Sequence, residues 1–127
     1  MLKIHHIGYV VRSIEDFKDD FIDLKLINST IDEIQNAKLS IFEQANEKIL
    51  IELIEPLTEK SFTWKHLEKN DQSMHHICYE GISFDKIKEI CSIKKMIIVR
   101  GPLYAKLFDK EIVFVMSRNK TLFEFIL

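Results

Sequence analysis

Apolar and polar residues change rhythm several times along the chain, and each change marks a predicted element. "KIHHIGYVV" is rich in β-forming residues and bounded by charge, the pattern of a buried strand. In "RSIEDFKDDFIDL" the residues Ile14, Phe17, Phe21 and Leu24 recur at intervals of 3, 4 and 3, which predicts one apolar helical stripe. Ser13 is placed to cap that helix, and Glu15 and Asp16 suit its positive end. "KLINSTI", "AKLSIFEQ" and "KILIELIEPL" then read as three strands, the last two joined by a polar turn around "ANE". "SFTWKHLEKN" predicts a short helix capped by Ser61.

The order then repeats. "MHHICYE" matches "IHHIGYV", "SFDKIKEICSIKK" predicts a helix with Phe84, Ile87, Ile90 and Cys91 on one face and Ser83 as cap, and "MIIVRGP", "EIVFVMS" and "TLFEFIL" supply three further strands. Each half is strand, helix, three strands. The units are expected over about 1–56 and about 73–127, with a linker helix over about 57–72, in one domain of 127 residues.

Alternation along the two opening strands sets Ile4, His6, Gly8 and Val10 on one face and His5, Ile7, Tyr9 and Val11 on the other. In the second copy Met74, His76, Cys78 and Glu80 share the first face. His5 and His75 are therefore expected to point away from His6 and His76, in a packing role. The last strand of each half carries one glutamate between apolar neighbours, Glu52 in "LIELIE" and Glu124 in "LFEFIL". If the halves pack about a pseudo-twofold axis, two imidazoles and two carboxylates converge. Such a mixed nitrogen and oxygen set suits a divalent ion such as Ni, Co, Zn, Mn or Fe. Taken singly, each residue has a plainer reading: a histidine packed in the core, a glutamate on the solvated face of a half-buried strand. The matched placement of all four weighs against that reading without closing it.

Composition narrows the class further. The chain is 46% hydrophobic and 30% charged with a formal charge of −2, and its basic residues are scattered, so no nucleic-acid or membrane partner is indicated. Cys78 and Cys91 have no paired spacing, which speaks against a disulfide framework or zinc cluster. No apolar run approaches the roughly 18–20 residues of a membrane span. The chain enters its first strand without a signal-peptide pattern, so a cytoplasmic location is expected.

The motifs resemble those of the vicinal oxygen chelate superfamily, which includes glyoxalase I, methylmalonyl-CoA epimerase, extradiol dioxygenases, fosfomycin-resistance enzymes and metal-free bleomycin-binding proteins. "HHIGYVV" resembles the epimerase's "DHIAIAV"-type opening strand, "KILIELIEPL" its "KIELLEPL", "HLEKNDQSMHHICYE" its "FLEKNGGGMHHICIEV" and "TLFEFIL" its "VLIELVE". The resemblance implies an α+β fold in which two βαβββ modules form a curved, barrel-like mixed sheet with helices on the outer face. It carries the metal-ligand positions onto His6, Glu52, His76 and Glu124. Glu52 agrees better with the glyoxalase I pattern, since some epimerases have a glutamine there. By the same resemblance, proton abstraction next to a carbonyl would run through a metal-bound enediolate. Glu52 and Glu124 would be the catalytic carboxylates, one taking a proton and the other returning it. The implied substrate is a small molecule, an acyl thioester for an epimerase or a hemithioacetal for a lactoylglutathione lyase, and the implied assembly is a homodimer. A metal-free small-molecule or antibiotic-binding module is the alternative outside enzymes.

Three stretches depart from the epimerase pattern. "NAKLSIF" carries no carboxylate before Glu43, "GPLYAKLFDKEIVF" replaces a glycine-rich loop with bulky residues, and "SRNKT" lacks the usual glycines. Tyr104, Phe108 and Trp64 are candidates for an apolar pocket or for ordinary core, and Lys106 and Lys110 are expected at the surface.

Overall fold

The structure, a computed structural model, describes residues 2–44 and 48–127. The elements are β1 (Lys3–Val10), α1 (Ile14–Phe17), β2 (Leu24–Asp32), β3 (Ala37–Gln44), β4 (Leu50–Pro56), α2 (Trp64–Asn70), β5 (Ser73–Glu80), α3 (Phe84–Lys94), β6 (Ile97–Ala105), β7 (Lys110–Met116) and β8 (Leu122–Ile126). All eight strands form one sheet in the order β2-β3-β4-β1-β5-β8-β7-β6. β1/β4 and β5/β8 are parallel, and the two βαβββ units meet edge to edge through antiparallel β1 and β5. The sheet curls into a half-barrel, as the family resemblance led us to expect. The turn expected around "ANE" lies outside the described residues.

Alternation sorts the core into layers. On the outer face Ile7, Tyr9 and Val11 pack with Ile14, Phe17 and Phe21, while Val113, Val115 and Phe125 pack with Ile87 and Cys91 of α3. On the inner face Val10, Leu39, Ile41 and Ile54 line one side of the cup, and Cys78, Ile112, Phe114 and Ile126 the other. Cys78 and Cys91 are free thiols. Among the described residues, no helix is long and apolar enough to cross a membrane.

Two helix expectations need correction. The stripe from Ile14 to Leu24 predicts about three turns, but α1 ends at Phe17, a 3-10 turn covers Lys18–Asp20 and Leu24 already belongs to β2. Asp19, Asp20 and Asp23 crowd this stretch, and aspartate favours turn conformations over helix interiors. Asp23 adopts a left-handed backbone (φ 59°) where the strand begins. Phe17 and Phe21 still reach Tyr9, with ring centroids 6.2 and 5.3 Å away, so the stripe serves packing without a continuous helix. Ser61 does not cap α2. Thr63 occupies the cap position without a side-chain bond, while the buried Ser61 hydroxyl donates to the Gln35 carbonyl at 3.3 Å. Ser13 and Ser83 do cap, accepting from the Asp16 and Lys86 amides at 3.3 and 3.2 Å.

The β6–β7 tip, Lys106–Asp109, folds across the cup. Leu107 is buried against Val10, Leu39 and Ile54 of the other half. Asp32, 1% exposed at the end of β2, holds the tip by accepting from the Lys106 amide at 3.2 Å, and the Asn28 side-chain amide donates to the Leu107 carbonyl at 3.3 Å. Removing one partner of a buried hydrogen bond costs about 1–3 kcal/mol. Asp32→Ala should therefore lower the unfolding free energy from urea titration by about 1–3 kcal/mol and speed amide exchange at Lys106. Unchanged exchange there would show that Leu107 and the Asn28 hydrogen bond hold the tip without Asp32.

Candidate metal centre

The four central strands β4, β1, β5 and β8 each contribute one side chain, Glu52, His6, His76 and Glu124, to a common cluster on the inner face. Their register puts Gly8 opposite both Glu52 on β4 and His76 on β5, and Cys78 opposite both His6 on β1 and Glu124 on β8. Each row thus has a small residue in the middle, and the flanking side chains lean over it. The rows are related by the repeat: Ile7 pairs with Ile77, and a pseudo-twofold axis passes between them.

Four ligand atoms meet where the rows cross. His6 Nε2 lies 3.1 Å from His76 Nε2, 3.3 Å from Glu52 Oε1 and 3.1 Å from Glu124 Oε1. His76 Nε2 lies 3.4 Å from each carboxylate oxygen. All four side chains are buried, at 0–3% exposure. Hydrogen bonds alone serve this arrangement poorly: two ring nitrogens face one another, and Glu124 Oε1 has no hydrogen-bond partner of acceptable angle. A tetrahedron with edges of this length has its corners about 2 Å from its centre, the length of a Zn–N(His) or Zn–O(carboxylate) bond. The residues present therefore fit one divalent ion.

Electrostatics agree with a tightly coupled cluster. Burial alone would lower the pKa of His6, but the Glu52 and Glu124 carboxylates outweigh it and hold the group up at about 9. His76 is raised in the same way, burial being overcome chiefly by Glu124. For Glu52 and Glu124 burial pushes upward, yet the two imidazoles prevail and both carboxyls lie below their usual value. Cys78 sits beside them as a neutral thiol, its pKa driven up by burial and by Glu124.

His5 and His75 do not point away. The β1/β5 register steps from Ile4↔Tyr79 to His6↔Cys78, and from Gly8↔His76 to Tyr9↔Met74, so one bulge falls at His5 and its counterpart at His75. A bulge places two successive side chains on one side of the sheet. Each first histidine consequently lies against the second, Nδ1 to Nδ1 at 2.8 Å in both copies. Burial lowers the pKa of both, with the adjacent His6 or His76 adding to it. The doubled histidine was the visible signal, but the bulge that gives it meaning depends on the facing strand.

Of the three aromatic residues named as candidates for an apolar pocket or for core, Phe108 is the one that reaches the cluster. Carried on the β6–β7 tip, its ring stacks on His6 (5.3 Å, 27°) and meets His5 edge-on (5.2 Å). Tyr104 is 44% exposed with its hydroxyl donating to Asp109, and Trp64 lines a shallow groove with Arg12 and Leu67, so neither reaches the cluster. Lys106 reaches the Ile31 carbonyl with its ammonium group at 3.3 Å. A cavity of about 730 Å³ opens beside His75, lined also by Phe62, His66, Met74, Lys120 and Leu122.

Known proteins share this architecture. The family model described as Glyoxalase/Bleomycin resistance protein/Dioxygenase superfamily matches residues 5–113. The uncharacterized protein YqjC of Bacillus subtilis (strain 168) is 35% identical over 82 residues, a stretch covering 62% of this chain and 57% of that relative's length. Among solved structures, a hypothetical protein from Bacillus halodurans C-125 superposes with a TM-score of 0.85 at 27% identity over 98% of this chain and 93% of the other. Methylmalonyl-CoA epimerase from Mycobacterium tuberculosis superposes at 0.83 with 17% identity, over 97% and 85% of the two chains. An E43Q variant of the Streptomyces coelicolor epimerase, in complex with 2-nitronate-propionyl-CoA, does so at 0.81 with 19% identity, over 98% and 95%.

Proposed function

The chain belongs to the Glyoxalase/Bleomycin resistance protein/Dioxygenase superfamily, and from that premise we propose that it is a metal-dependent enzyme that moves a proton at the carbon beside a carbonyl. The observation that carries this reading is the convergence of His6, Glu52, His76 and Glu124 at one buried point. A divalent ion held there would supply a Lewis acid for a carbonyl oxygen. The chain's own residues do the rest. Glu52 and Glu124 are held ionised by the neighbouring imidazoles, so either can accept a proton, and each has a partner carboxylate able to return one. The β6–β7 tip excludes water, because Phe108 covers the His6 ring.

An epimerase-type reaction on an acyl thioester is the leading version, supported by the likeness to methylmalonyl-CoA epimerases in fold and motif. A glyoxalase I-like lyase acting on a hemithioacetal is the second version, favoured by a carboxylate rather than an amide at Glu52. A cytoplasmic homodimer is the proposed setting.

The test uses purified protein and its His76→Ala variant. About one equivalent of divalent metal per chain is expected in the unaltered protein, and weak or no retention in the variant. Deuterium from D2O should then enter the α-carbon of methylmalonyl-CoA, or lactoylglutathione should form from the methylglyoxal–glutathione hemithioacetal. Equal metal retention by both proteins would remove His76 from the ligand set. Absence of metal from the unaltered protein would favour a metal-free binding module.

A further inference from the structure

The two bulges in the central strand pair are the features that the proposed chemistry leaves unexplained. A bulge leaves its extra residue out of the ladder and disrupts it locally, yet the β1/β5 pair has two, at positions related by the repeat. Their shared effect is to bring His5 to His6 and His75 to His76, ring nitrogen to ring nitrogen, at the same 2.8 Å distance.

The direction of these bonds follows from what Nε2 faces. A histidine that offers a bare Nε2 to a cation carries its proton on Nδ1, and the acceptor of that proton fixes both tautomer and ring orientation. In both copies the atom at hydrogen-bond distance from that Nδ1 is the Nδ1 of the preceding histidine. The preceding histidines must then accept, which leaves their own proton on Nε2. Their rings are held for this. His5 abuts Phe108 edge-on at 5.2 Å, and His75 meets His66 at 4.9 Å and Phe62 at 6.0 Å, both edge-on.

We infer that His5 and His75 are positioning residues for the metal centre, each accepting the Nδ1–H of the histidine that follows it and so holding His6 and His76 with Nε2 bare and aimed at the ion. This rests on the metal reading above and adds to it a purpose for the bulges. A neutral imidazole accepts without bringing negative charge, unlike the carboxylate that often fills this role. The ion consequently keeps a larger effective positive charge for polarising a carbonyl.

Cobalt(II)-loaded protein provides a readout independent of turnover. Its proton spectrum in H2O should contain two strongly shifted, solvent-exchangeable N–H signals, one from each ligand histidine. In His75→Phe, which keeps a ring but removes the acceptor, one signal should move or vanish and cobalt affinity should fall about 10- to 100-fold. His75→Gln, which restores an acceptor oxygen, should recover most of both. His5→Phe and His5→Gln repeat the comparison at the less enclosed copy, and carry it if the His75 variants do not fold. Both signals unmoved with affinity within about twofold of the unaltered protein would overturn the inference, as would glutamine variants as impaired as the phenylalanine ones. Cobalt that fails to bind the unaltered protein would overturn the metal reading itself, a result distinct from either.

Discussion

Gly8→Ala should abolish tight metal binding although Gly8 donates no ligand. A Cβ at this position would lie 2.4 Å from Cε1 and 2.7 Å from Nε2 of His76, far inside contact distance. The backbone does not explain the glycine, because Gly8 is not among the residues with positive φ. What the position requires is the absence of a side chain, so that the His76 ring can lie across the strand. An added methyl in such a packed place costs about 1–3 kcal/mol of stability. The ring, being the movable partner, would shift, and its Nε2 would leave a cluster whose separations are 3.1–3.4 Å. We expect affinity for zinc or nickel to drop by more than about 100-fold, beyond what loss of an orienting partner alone produces. Calorimetric titration of folded Gly8→Ala checks this, and affinity equal to that of the unaltered protein would mean that His76 is not a ligand.

The second large effect is a dependence of metal-linked stability on pH. In stripped protein His6 is raised from 6.5 to about 9, so its ion pairing contributes stability that is fully present below 6.5 and is lost as pH rises through about 9. Glu52 and Glu124 are lowered, so their contribution is present above the ordinary carboxylate pKa and is lost only as pH falls through the depressed values. Metal binding runs the other way, since it needs the Nε2 atoms free of protons. Its affinity should rise about tenfold per pH unit for each proton displaced, over the range from about 6.5 to 9. The gap in melting temperature between loaded and chelator-treated protein should therefore widen from pH 6.5 to 9 and narrow toward pH 5. Parallel melting curves across that range would contradict both the ligand set and the raised His6.

The repeat made the convergence of His6, Glu52, His76 and Glu124 legible because equivalent strands in a duplicated sheet must occupy equivalent places. Period-two alternation sorted Ile7, Tyr9 and Val11 correctly onto the helix-covered face. It failed for His5 and His75, since a bulge is a property of two strands in register and leaves no mark on either one alone. The short α1 escaped for a related reason. Phe17 and Phe21, on either side of a 3-10 turn, make the same apolar contacts that a continuous helix would give them, and periodicity does not tell these apart. Phe108 was visible as a bulky residue in an unusual loop, but its place over His6 depends on Asp32 and Asn28, about 75–80 positions earlier in the chain.

The axis between Ile7 and Ile77 bears on handedness. Perfect twofold symmetry would bring Glu52 and Glu124 to opposite sides of a flat group lying along the axis and make those two sides equivalent to the protein. The halves are not identical. Phe108 stacks on His6 at 27°, whereas Phe114 meets His76 edge-on at 84°. Glycine occupies the row beneath His76, and cysteine the corresponding row beside His6. Selection between the right- and left-handed forms of a substrate would thus draw on differences between the two copies of one motif as well as on the chirality of the backbone that both share.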